Sequence, residues 1–77
     1  MCVNGQRTDD YGTPENSFNR IAALWGGYFG EAFNAADVAI MLALLKVARL
    51  KNNPSHRDSW VDLAGYAACG AEAAHVD

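Results

Sequence analysis

The sequence predicts an all-α fold, a small three-helix bundle completed by homo-oligomerisation. Three observations predict it. Apolar residues recur at three- and four-residue spacing in three stretches, and no stretch alternates with the period of a strand. Helix-start residues precede each stretch: Thr13-Pro14, Asn34 and Ser55. The middle stretch, Val38 to Leu45, is apolar at every position. A helix apolar all round must be covered all round. A chain of 77 residues makes one domain at most, and three short helices struggle to wrap one of themselves. Sister copies are therefore expected to cover it. The competing reading leaves Ala39 and Ala43 as a tolerable exposed face.

The elements follow in order. Residues 1–13 are polar and rich in turn formers, with Asn4-Gly5, Asp9-Asp10 and Gly12; they read as an irregular arm before a single helical domain, 14–77. Thr13 is placed as N-cap, Pro14 at the first helical position and Glu15 as an acid in the first turn. Phe18, Ile21, Ala22, Trp25, Tyr28 and Phe29 then share one face. Gly26-Gly27 lies inside this helix at a cost of about 1 kcal/mol per glycine relative to alanine, which suggests close packing or a kink. Gly30 is placed as the C-cap.

Asn34 starts the second helix with Asp37 at its third position. Lys46, Arg49 and Lys51 suit that helix's negative end. Asn53-Pro54 breaks it, because proline disfavours helix in the residue before it. Ser55-His56-Arg57-Asp58 fits a capping box. The third helix then runs to about Ala74, with Trp60, Leu63, Ala64, Ala67 and Ala71 expected on its inward face. Its second half is alanine and glycine, which let helices approach closely.

Composition limits the function classes. The formal charge is −3, which argues against binding a nucleic acid polymer. There is no apolar run of membrane-spanning length and no secretory leader pattern. Cys2 and Cys69 allow one disulfide at most. With Cys2 at the start of the chain, the expected state is reduced and cytoplasmic. Cys69 reads as a small buried apolar residue.

Few residues carry chemistry by pattern. Lys46 and Arg49 share a helix face and, with Arg7, Arg20 or Arg57, could converge on a phosphate, since guanidinium forks match phosphate oxygens. The same charges also serve helix ends and solvent. Asp58 and Asp62 are four apart on one helix face, where they could share a cation or receive a basic side chain from a neighbouring helix. Tyr11 and Tyr66 could stack on a base; Trp25 and Trp60 read as core. His56 and His75 are poorly placed to activate Cys69. The cysteine and histidine spacings fit no zinc site, and no phosphate-binding glycine loop is present. No catalytic residue, metal or cofactor is expected.

Three segments together carry a resemblance: Arg7-x-x-x-Tyr11-Gly12, Asn16-x-Phe18-x-x-Ile21-Ala22, and Lys46-x-x-Arg49 followed by Asp58-Ser59-Trp60-Val61-Asp62-Leu63-Ala64-Gly65-Tyr66-Ala67. The combination resembles a family of short phage proteins of unknown function. It is more loosely similar to phage domains associated with nucleotide modification. The likeness spans about residues 5 to 73. Members of that family carry a further N-terminal helix, which this sequence shortens to a few residues. The resemblance implies a phage origin and a nucleotide-related task.

The resulting expectation is a non-enzymatic protein of the host cytoplasm that binds a small phosphorylated nucleotide between subunits. It would act as a sponge for a host immune signalling nucleotide of the cyclic dinucleotide or ADP-ribose type. Lys46, Arg49 and Arg7 or Arg20 would hold phosphates, and Tyr11 or Tyr66 would stack on the base. Asp58 and Asp62 would orient the basic groups or accept from sugar hydroxyls. Two alternatives remain. One is a magnesium-dependent pyrophosphohydrolase of the MazG type, which needs E-x-x-E and E-x-x-D clusters that this sequence lacks. The other is an inhibitor module that binds a host protein.

Overall fold

The computed structural model describes residues 14–75. The expected arm, Arg7, Tyr11 and the Thr13 cap lie outside the described residues. Three helices follow one another: α1 Pro14–Phe29, α2 Ala35–Asn52 and α3 Arg57–Ala73. No strand occurs among the described residues. Among the described residues the all-α expectation holds, with three helices.

The breaks between helices come from local chemistry. Gly30 adopts φ +73°, a left-handed conformation that glycine enters without strain. The N–H groups of Gly30 and Glu31 both donate to the Gly26 carbonyl, at 2.8 and 3.2 Å. The returning chain passes so close that a Cβ on Gly26 would sit 2.7 Å from the Glu31 carbonyl oxygen. Gly27 has nothing within 4 Å of its equivalent position. Only the first glycine of the pair is therefore needed for close packing.

Asn34 caps α2 as expected. Its side chain accepts from the Asp37 N–H at 2.9 Å, and the Asp37 carboxylate accepts from the Asn34 N–H at 2.9 Å. Two of the helix's unpaired donors are thus satisfied reciprocally. The break at Asn53-Pro54 also holds.

The expected Ser55–Asp58 capping box does not form. His56 is the N-cap of α3. Its Nδ1 accepts from the Ser59 N–H at 3.3 Å and lies 2.7 Å from the Ser59 hydroxyl. Ser55 turns back instead, donating its hydroxyl to Asn53 Oδ1 at 3.0 Å. An imidazole nitrogen can accept from the N–H three residues on as a serine oxygen does, so the cap sits one residue later and takes the Ser59 N–H in place of that of Asp58.

The core lies where the three helices meet. Phe18 and Ala22 of α1 pack against Ala35, Val38 and Ala39 of α2 and Cys69 of α3. Ile21, Trp25, Phe33, Leu42 and Tyr66 close around them. Trp25 meets Phe33 edge-on at 6.5 Å, and Phe18 meets Tyr66 at 6.4 Å. The α2–α3 pair is the tightest packing in the fold, and α1 lies mainly on α2.

Several burial expectations are overturned. Tyr28 and Phe29 are 83% and 58% exposed; after the chain reverses at Gly30, Phe33 meets Phe29 edge-on at 6.1 Å without burying it. Trp60 is 53% exposed, with its indole N–H donating to the Pro54 carbonyl at 2.9 Å. The inward face of α3 carries Ser59, Gly65 and Cys69, whereas Ala64, Ala67 and Ala71 are exposed. Small side chains let α3 sit flush against α2, so burial follows closeness of approach rather than side-chain size. Cys69 is buried as expected, but it is disulfide-bonded rather than a free thiol. The one other cysteine of the sequence, Cys2, lies outside the described residues.

The apolar run of α2 is only partly covered. Val38 and Ala39 are buried, while Ile40, Leu44 and Leu45 are 58%, 60% and 49% exposed. The exposed face is therefore not the alanine face of the competing reading. Ala39 lies in the core and the large aliphatic side chains stand in solvent.

Candidate functional site

The α2–α3 hairpin brings two of the expected site residues together. The Lys46 ammonium lies 3.1 Å from an Asp62 carboxylate oxygen. The Lys46 side chain is only 13% exposed and that of Asp62 is 46% exposed. The lysine stem lies along the hairpin while its charged end meets the carboxylate at the rim. Lys46 is the basic side chain from a neighbouring helix that Asp62 receives.

The other expected residues distribute around this pair. Tyr66 follows Asp62 by one turn of α3 and is half-buried against Phe18. Arg49 follows Lys46 by three residues and is exposed in the last turn of α2. Asp58 is exposed in the first turn of α3, where a carboxylate suits the positive helix end. Arg20 is exposed on α1. Lys46, Arg49, Asp58, Asp62 and Tyr66 thus all lie on the α2–α3 hairpin, and only Lys46 and Asp62 are joined by a described contact.

Beside Tyr66 opens a groove of about 420 Å³ between α2 and α3. One wall is a ridge of Ile40, Leu44 and Val47; the other is a trough of Ala67, Gly70, Ala71 and Ala74. Gly70 lets the two helices close at the groove floor, since a Cβ built there would stand 3.1 Å from the Ala39 Cβ. No charged side chain lines the groove, and the Tyr66 hydroxyl is its one side-chain polar group. Sequence reasoning missed this feature, although the Ile40, Leu44, Val47 spacing was available to find it.

Among the described residues no three His, Cys, Asp or Glu side chains group as metal ligands, and Asp62 is engaged by Lys46. No described helix is long and apolar enough to cross a membrane.

Residues 1–74 match the family described as Domain of unknown function (DUF6378). The chain belongs to that family. It is 52% identical over 66 residues to the Gene 55 protein of Mycobacterium phage L5, covering 84% of this chain and 42% of the relative. It is 43% identical over 67 residues to the Gene 55 protein of Mycobacterium phage D29, covering 87% of this chain and 44% of the relative. The chain therefore spans less than half the length of these phage relatives. No solved structure matches it. The phage family of unknown function expected from the motifs is the one found.

Proposed function

We propose that the protein is a non-enzymatic binder of a small phosphorylated nucleotide, with the binding site completed between copies. The observation that supports this reading is the Lys46–Asp62 pair, one helical turn before Tyr66, which itself lines an open groove. Apolar clefts with a few polar groups at one end are the common form of small-molecule sites. Lys46 and the exposed Arg49 supply positive charge for phosphate. Tyr66, at the edge of the groove, offers a face for a base. Asp62 holds the ammonium in place and can accept from a sugar hydroxyl. Arg20 and Asp58 stand further out, where a second copy would have to bring them into use.

Calorimetric titration against cyclic dinucleotides and ADP-ribose-type signals tests this, followed by recovery of the ligand after heat denaturation. Binding of one class, weakened at least tenfold in Lys46→Ala and Arg49→Ala proteins, is the expected result. Ligand returned chemically altered defeats sequestration, and no binding across the panel defeats the nucleotide reading. A host-protein inhibitor is favoured by one observation, the wholly uncharged ridge and trough. Intact inhibitory activity after charge reversal at Lys46 and Arg49 selects that reading.

A further inference from the structure

We propose that the ridge and trough of the α2–α3 groove are the two halves of a self-complementary face, on which a second copy of this chain docks across a two-fold axis. This deepens the shared-site reading by naming the surface through which the copies meet, and it stands on the groove rather than on Lys46.

The core shows which side needs covering. α1 packs on the face of the hairpin that carries Val38, Leu42 and Cys69. The groove carries Ile40, Leu44 and Val47 instead, so α1 does not cover it. A helical domain buries its apolar faces between layers, and among the described residues no helix lies over this one. Two hairpins placed groove to groove make a four-helix bundle.

The occupant follows from shape and charge. Ridge and trough run side by side, from Ile40 to Val47 and from Ala67 to Ala74, each seven residue steps or about 10 Å long at 1.5 Å per residue. A two-fold axis between them lays each ridge in the other copy's trough, the self-matching required of an isologous contact. A single foreign helix would fill the trough and leave the ridge half covered. The chain carries a formal charge of −3, which repels a second copy, yet no charged side chain lines the groove. The repulsion is thereby kept at the rim.

Size sets the strength. From Ala36 to Val47, two helices side by side present a face of roughly 17 by 20 Å in plan. That is below the ~800 Å² per partner of a standard interface, so the dimer dissociates in the micromolar range.

Sedimentation equilibrium from about 5 to 500 µM tests the proposal, without nucleotide. The expected result is a concentration-dependent rise from one protomer mass to two. Leu44→Glu on the ridge and Ala71→Glu in the trough each weaken association by about tenfold or more, while helix content by circular dichroism is kept. Leu24→Glu, at an equally exposed apolar position on α1, leaves association unchanged. A single protomer mass at every concentration overturns the proposal. So does a dimer that survives both groove variants, or one abolished by Leu24→Glu. A dimer that binds no nucleotide leaves this inference standing and sinks the nucleotide reading; a monomer that binds nucleotide does the reverse.

Discussion

Adjacent glycines on α1 should respond to the same substitution with opposite sign. Replacing a helical glycine by alanine lowers the entropy of the unfolded chain and normally stabilises by about 0.5–1 kcal/mol. Gly27 has open space where a Cβ would go, so Gly27→Ala gains that amount. At Gly26 the new methyl would stand 2.7 Å from the Glu31 carbonyl oxygen. The obstacle is backbone, pinned because the Glu31 N–H donates to Gly26 itself. Overpacking of this kind costs about 1–3 kcal/mol, which exceeds the gain. In a domain of this size 1 kcal/mol moves the midpoint by about 4–8 °C. Thermal unfolding followed by circular dichroism should show Gly27→Ala melting up to that much higher and Gly26→Ala melting lower. A higher midpoint in both variants would refute the reasoning, because it would mean that the return turn at Gly30 yields freely.

The Lys46–Asp62 pair should be asymmetric in urea unfolding. Asp62→Ala strands an ammonium whose side chain is 13% exposed and costs about 1–3 kcal/mol. Lys46→Met keeps the packed stem and leaves a carboxylate that water reaches, costing under about 1 kcal/mol; equal losses would contradict the burial difference. Asn34→Ala removes a full capping box and should cost about 1–2 kcal/mol, read in the same assay. Trp60→Phe should lose no more than about 1.5 kcal/mol, since the residue is half in solvent and surrenders one hydrogen bond to Pro54; a larger loss would restore the core role that its composition suggested.

Much of the architecture was legible because it is encoded locally. Asn34 with Asp37, Gly30, and Asn53-Pro54 each carry their conformational instruction in one or two residues. The capping of α3 was misread because serine and histidine both offer an acceptor there, and only the folded turn shows that Ser55 is committed to Asn53. The inward face of α3 was misread for a different reason. Alanine, glycine, serine and cysteine differ too little in size for periodicity to tell inside from outside, and how closely α2 approaches decides it. Of the candidate residues, Lys46, Arg49, Asp58, Asp62 and Tyr66 could be placed on one hairpin from the helix boundaries alone. The specific partnership of Lys46 with Asp62 depends on the register between α2 and α3, which no single segment specifies. The greasy middle of α2 was read as needing cover, and among the described residues nothing covers Ile40, Leu44 and Leu45, which stay half exposed.

The close seating of Gly70 against Ala39 has a consequence for motion. It welds α2 and α3 into one unit, whereas α1 rests mostly on α2 through a few side chains and a glycine-hinged return. Proteins open in cooperative pieces, with the least-anchored piece first. Amide protons of α1 should therefore exchange with deuterium well before those of the hairpin, and a partner could displace α1 while the rest of the fold stays intact.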